Sequence, residues 1–174
     1  DIVPCFHIIP RDGSKERYYI PAGGESSFWI PTNPKTDNDI CKAIDDLHGN
    51  RLKPVIRLIK YWNATQNDNR LRSYHVEVLA WRVFYAGYQN NFIIKDYPSA
   101  VRYFFRNVTP HLQTACEDPT EIGSHIDRYL TPALRTLSLM KVQEAHNALA
   151  PTALGLFLTN QTPLSSTWHK VFPD

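Results

Sequence analysis

The chain has 174 residues, 43% hydrophobic and 21% charged, ordinary proportions for a soluble globular protein of one domain, or of one domain and part of a second. Nineteen basic against seventeen acidic side chains leave a net charge of +2, too small to imply nucleic-acid binding by itself, although a local basic face is compatible with it. Cys5, Cys41 and Cys116 form no CxxC pair and no even framework, so a zinc site or disulfide scaffold is not expected and a reducing cytoplasm is; neither a ~20-residue apolar run nor a signal-peptide pattern is visible.

In chain order, residues 1–9 read as a strand, residues 11–15 as a polar turn containing Asp12-Gly13, and residues 17–20 as a second strand, a hairpin pattern with a long loop. A further turn over 21–27 leads to the short apolar segment Phe28-Trp29-Ile30, and Pro31-Thr32-Asn33-Pro34 then punctuates the chain. Helices follow. Residues 37–47 form the first, stopped by Gly49-Asn50. In the second, 51–65, Leu52, Val55, Ile56, Ile59 and Trp62 share one face, and Pro54 fits only its first turn. The third, 74–88, is apolar nearly all round, which predicts a buried central helix with Ser73 as N-cap. Others are expected over 97–108, 119–130, 132–149, 151–158 and 163–168. Asp118-Pro119, Thr131-Pro132 and Thr162-Pro163 each place a capping residue before a proline. The expected class is α+β, mostly α: a short strand hairpin followed by a bundle of about six or seven helices. Three strands are not stable alone, so sheet partners upstream of Asp1 are expected.

Three patterns carry chemistry. Asp1-Ile2-Val3-Pro4 puts an acid on an apolar strand, where it costs free energy unless it is paired or holds a cation. Within Leu58-Ile59-Lys60-Tyr61-Trp62-Asn63, Lys60 ends a stripe with Lys53 and Arg57 at i, i+4 and i+7. On spacing alone that stripe reads as a solvated flank, or alternatively as an anion site in which lysine supplies a mobile point charge. In Leu71-Arg72-Ser73-Tyr74-His75-Val76-Glu77, Ser73 is an ordinary cap or, with the free N–H groups of the helix start, an anion site; Tyr74 is a core aromatic or a stacking platform for a base. His75 and Glu77 have no partner at metal-ligand spacing and read as structural.

Together, in this order, these motifs resemble the C-terminal half of a bacterial cyclic-oligonucleotide synthase, a nucleotidyltransferase of the polymerase-β superfamily related to cyclic GMP-AMP synthase and oligoadenylate synthase. The resemblance runs from Asp1 through the Lys60 and Ser73-Tyr74 helices, with Asp118-Pro119 and residues 168–173 adding to it. It implies that residues 1–34 are the last strands of the nucleotidyltransferase core and residues 35–174 a helical domain. Asp1 would be the third catalytic carboxylate and a ligand of Mg2+ or Mn2+. Lys60 and Ser73 would hold the triphosphate of the donor nucleotide, ATP or GTP, and Tyr74 would stack on its base. The parent protein would join nucleoside triphosphates into cyclic di- or trinucleotides for antiphage defence, releasing pyrophosphate. The family's Gly-Ser loop and first acidic pair are not found, and Gly13-Ser14 reads as a turn, so this stretch alone is expected to be inactive. It would act with the N-terminal half of the same protein, and with a regulatory protein partner, away from membranes. Alternatives are a linear oligo- or polyadenylate-forming transferase, an inert nucleotide or nucleic-acid binder, and a helical interaction module.

Overall fold

The computed structural model describes residues 5–11, 17–21, 28–123, 125–149 and 171–172. Its three strands, β1 (Phe6–Ile8), β2 (Arg17–Pro21) and β3 (Trp29–Thr32), form one antiparallel sheet in the order β1-β2-β3. The register pairs Phe6 with Tyr19 and Tyr19 with Pro31. Pro31 is tolerated inside β3 because that strand lies at an edge, where a missing N–H breaks no central ladder. Phe6, Ile8, Trp29 and Ile30 are all more than 40% exposed, so the sheet buries little of its own apolar surface.

Six helices follow among the described residues: α1 (Pro34–Leu47), α2 (Leu52–Thr65), α3 (Ser73–Gln89), α4 (Tyr97–Asn107), α5 (Thr109–Gln113) and α6 (Pro132–Leu149). The expected architecture, a strand hairpin followed by helices, is the one observed. The first helix starts three residues earlier than its pattern predicts, because Asn33 accepts a hydrogen bond from the Thr36 N–H and Pro34 opens the first turn. It ends where Gly49 and Asn50 take φ of 64° and 60°. The second begins at Leu52 with Pro54 in its first turn, as the periodicity requires. The sixth starts behind Thr131, whose hydroxyl accepts the Leu134 N–H.

The expected helix over 119–130 is not formed; the described residues of that segment run through turns and bends. The Asp118 carboxylate collects the Thr120 N–H (2.9 Å), the Thr120 hydroxyl (2.7 Å) and the Gly123 N–H (3.1 Å), and Glu121 adopts φ 59°, which no α-helix accommodates. The same residue that looks like a helix cap therefore closes a side-chain-held turn. The Ile126 N–H donates to the Cys116 carbonyl and pins the far end of the loop. The expected helices over 151–158 and 163–168 lie outside the described residues.

The core lies among α2, α3 and α4. Leu52, Val55, Ile59 and Trp62 of α2 meet Val76, Leu79 and Phe84 of α3 and Phe104 and Phe105 of α4, all 2% exposed or less. The Trp62 and Phe105 rings meet edge to face at 4.8 Å. α6 packs across α4 and α5. As expected, α3 is the central helix, buried for most of its length. Among the described residues no helix is long and apolar enough to cross a membrane.

Candidate functional site

The buried helix α3 carries its chemistry at its exposed start. Arg72 precedes it in an extended conformation and no side chain caps it. Ser73, expected to be the N-cap, is instead the first helical residue, and its side chain is exposed. The N-cap position falls to Arg72, whose N–H is taken by the Tyr129 hydroxyl at 2.8 Å. An uncapped start to a 17-residue helix leaves N–H groups and the positive end of the helix dipole facing outward.

This start forms one wall of a cleft of about 530 Å³. Arg72, Tyr74 and His75 line it from α3, Asp37 from α1, Ile20 and Ile30 from the sheet, and Asp118, Ile122 and Ile126 from the 118–128 segment. Tyr74 is fixed in that wall. Its hydroxyl donates to Asp37 Oδ1 at 2.7 Å and lies 3.4 Å from Asp118 Oδ1, and its ring meets Trp81 edge to face at 6.2 Å. Burial, the hydrogen bond to Asp37 and the charges of Asp37 and Asp118 all push the Tyr74 phenol pKa upward, so it is a donor. Burial likewise pushes the Asp37 carboxyl above its ordinary value. The Tyr74 hydrogen bond opposes that rise, and the charges of Asp118 and Glu77 add to it.

His75 stands behind Tyr74 and is only 1% exposed. Its Nδ1 is 2.9 Å from the Tyr129 hydroxyl. With the Tyr129 hydroxyl, which also accepts the Arg72 N–H, donating to Nδ1, the neutral imidazole carries its own proton on Nε2. Nε2 is buried and has no hydrogen-bond partner among the described residues. Burial lowers the His75 pKa to about 4; the Asp127 charge opposes this, while Arg135 and Arg82 add to it. The Arg72 guanidinium lies over the Tyr129 ring, 4.4 Å from its centroid.

Lys60 is ion-paired with Glu77, both side chains about one third exposed (33% and 31%). Glu77 follows Ser73 by four residues, so the two share a face of α3 one turn apart. The structure thus brings Lys60 to the Ser73 face of α3, although Lys60 does not line the cleft. The basic stripe read from the sequence is partly neutralised, since Lys53 pairs with the buried Asp45 at 3.7 Å. Glu77, read as structural, is the partner that positions Lys60. Asp1 lies outside the described residues. Sequence reasoning missed Asp37 and Tyr129, which sit 37 and 54 positions away from the α3 residues they bind. An acid in the first turn of α1 was the sole available signal for Asp37, and Tyr129 carried none.

No family model matches the chain. A probable cyclic nucleotide synthase from Bacillus cereus (strain VD146) is 30% identical over 127 residues, 73% of this chain and 36% of the relative. The chain is a cyclic-nucleotide-synthase-like protein. A solved structure agrees in fold: a chain of the CdnC:HORMA-deltaN complex of E. coli MS115-1 superposes with a TM-score of 0.61 at 18% identity, covering 95% of this chain and 61% of that one. The synthase-like chain therefore corresponds to about a third of the length of the curated relative it matches. In this synthase-like chain the start of α3, the cleft and the Lys60–Glu77 pair occupy one side of the helical body.

Proposed function

We propose that this chain is part of a nucleotidyltransferase that joins nucleoside triphosphates through phosphodiester bonds, releases pyrophosphate and closes the product into a cyclic di- or trinucleotide. The observation that carries the reading is the uncapped start of α3, set beside a cleft with Tyr74 held in its wall. Ser73 and the first N–H groups of α3 would bind the terminal phosphates of the donor nucleotide, with Lys60 reaching them as a point charge from the next turn. Tyr74 would stack on the base. Its hydrogen bond to Asp37 and its contact with Trp81 hold the ring in place before the ligand arrives.

Asp1 would act on the attacking hydroxyl and hold Mg2+ or Mn2+, a cation that neutralises charge on the transferring phosphoryl group. Among the described residues no three His, Cys, Asp or Glu side chains converge, so the metal's ligands would be Asp1 together with acids outside the described residues. Residues 1–34 would belong to the catalytic core and the remainder to a helical domain that holds the donor. The exposed Phe6, Ile8, Trp29 and Ile30 are apolar surface that the rest of such a core would cover. By analogy with the CdnC:HORMA-deltaN assembly, a protein partner would regulate the enzyme, and the cyclic product would signal in cytoplasmic antiphage defence.

The test uses the full-length protein with Ser73→Glu. An acid in the first turn suits the helix dipole, so stability is expected to stay level or rise by about 0.3–1 kcal/mol. The same acid repels a triphosphate, and product formation is expected to fall at least roughly tenfold, since removing a single preorganised contact to developing charge costs about that much or more. Unchanged synthesis in a well-folded Ser73→Glu protein would remove the donor site from this helix. Chromatography of the wild-type reaction with four triphosphates and Mn2+ decides the product, and exclusively linear oligonucleotides would end the cyclising reading.

A further inference from the structure

We infer that the cleft selects a guanine base and that the Asp37 carboxylate is the residue that makes the selection; this rests on the donor-site reading above and deepens it. The cleft has the chemistry of a base pocket. Ile20 and Ile30 on the sheet side and Ile122 and Ile126 on the 118–128 side supply apolar jaws, and the Tyr74 ring supplies a flat wall. Two carboxylates lie within hydrogen-bond reach of the Tyr74 hydroxyl. Asp37 receives the Tyr74 hydroxyl at 2.7 Å, and Asp118 lies at 3.4 Å from it.

The two acids are not equivalent. Asp118 is engaged on both oxygens: Oδ1 takes the N–H and hydroxyl of Thr120, and Oδ2 takes the Gly123 N–H. It is a structural acceptor that holds its own loop. Asp37 takes its one described hydrogen bond on Oδ1, from a neutral phenol, and retains acceptor capacity in the cleft. Burial without a matching donor pair is what raises its pKa. A second observation points to a ligand at the same place. His75, 1% exposed, lines this cleft and holds a buried Nε2 with no partner among the described residues.

A base whose edge runs past the Tyr74 hydroxyl meets an acceptor-only carboxylate. Guanine presents two adjacent donors, N1–H and the 2-amino group, which match a carboxylate in a two-pronged hydrogen bond. Adenine presents its 6-amino donor beside the N1 acceptor, and cytosine its 4-amino donor beside N3, so each offers one bond and one repulsion. Uracil presents a single N–H between two carbonyls. A pocket built to hydrogen-bond a donor pair rejects analogues that lack it more sharply than an apolar pocket would.

The experiment measures binding of GTP, ITP and ATP to the full-length protein by calorimetry, with wild type, Asp37→Asn and Asp118→Asn compared. GTP is expected to bind roughly tenfold or more tightly than ATP, the discrimination typical of one two-pronged base contact. ITP, which lacks the 2-amino group, is expected between them. Asp37→Asn keeps an acceptor for the Tyr74 hydroxyl, so the fold is preserved. It presents one donor and one acceptor, and is expected to shift the preference toward ATP. Asp118→Asn is expected to leave the GTP-to-ATP ratio unchanged. ATP binding as tightly as GTP, or a ratio that survives Asp37→Asn, overturns the inference and leaves the donor-site reading standing. Absence of binding by every triphosphate overturns both.

Discussion

Two histidines are buried against opposite ends of α3, and their surroundings differ in one respect. His48 is fully closed: its Nε2 donates to the Phe84 carbonyl at 3.0 Å, its Nδ1 accepts the Ile94 N–H at 3.3 Å, and the rings of Phe84, Tyr88 and Phe92 surround it. His75 is equally buried but half satisfied, with Nδ1 on the Tyr129 hydroxyl and Nε2 unpartnered beside the cleft. Burial lowers the pKa of both. A histidine with two protein partners ties α1, α3 and the 92–95 turn into one body. A histidine with one partner leaves a ring nitrogen unsatisfied in a residue that lines the cleft. The far end of α3 is built for the fold, and its near end keeps valences open.

Truncation gives the largest separation between the two ends. His48→Ala leaves a cavity in a dry corner and removes the acceptor of the buried Ile94 N–H, and is expected to cost roughly 3–5 kcal/mol in urea unfolding. His75→Ala opens onto the cleft, where water can replace the ring and hydrate Tyr129, and about half that cost is expected. Equal losses at the two positions would break the distinction.

Acid titration is the next largest effect. An imidazole whose folded pKa lies below its unfolded value of 6.5 takes up protons more readily in the unfolded chain. Its contribution to stability is therefore complete above about pH 6.5 and is lost as pH falls from there toward the folded pKa. For His75, with a folded pKa near 4, the loss over that window is roughly 3 kcal/mol at 1.36 kcal/mol per pH unit. Melting temperatures recorded from pH 7 to pH 4 should fall accordingly. His75→Gln, which can still accept from Tyr129, should flatten the decline and leave the shares of His48 and His111, whose pKa burial also lowers. A triphosphate that accepts from Nε2–H should make the same decline shallower, because acid adds its proton at Nδ1, keeps the Nε2–H donor and places a positive charge beside the bound anion.

These contrasts bear on what the residues disclosed in order of sequence. Leu52, Val55, Ile56, Ile59 and Trp62 declare α2 by their spacing, and the apolar run over 74–88 declares α3 as the central helix, because burial of a helical face leaves a periodic trace. Asn33-Pro34 read as punctuation because the same residue types cap helices and break them; the outcome rests on the Thr36 N–H finding the Asn33 side chain. Asp118-Pro119 misled in the opposite direction. Its carboxylate closes a turn onto Thr120 and Gly123 in place of a helix. Residues 6 to 8 form one strand of the hairpin, and Pro31 pairs with Tyr19 without breaking a central ladder because β3 is an edge. At the site, Ser73 and Tyr74 were legible because a short polar-aromatic step before a long apolar helix is a local pattern. Asp37, Tyr129 and Glu77 were not, because each acts on a partner from another stretch of chain or from the opposite side of an ion pair. Local chemistry leaves a signature in spacing, and contacts across the fold leave none in a single sequence.

The smallest expected stability effect gives a sharp discrimination at the near end of α3. The Lys60–Glu77 pair is about one third exposed, so water and salt screen it, and breaking it from either side is expected to cost at most about 1 kcal/mol. If the pair serves the fold alone, Lys60→Gln and Glu77→Gln are interchangeable, and neither alters triphosphate binding. If Glu77 holds Lys60 ready for phosphate one turn below Ser73, the two variants act with opposite signs. Lys60→Gln removes the positive charge and should weaken triphosphate binding several-fold at low salt, with the loss shrinking as ionic strength rises. Glu77→Gln frees the ammonium from its competing carboxylate and should strengthen binding. Affinities left unchanged in both variants would assign the pair to the helical body, with His48, and leave the start of α3 to bind its ligand without Lys60.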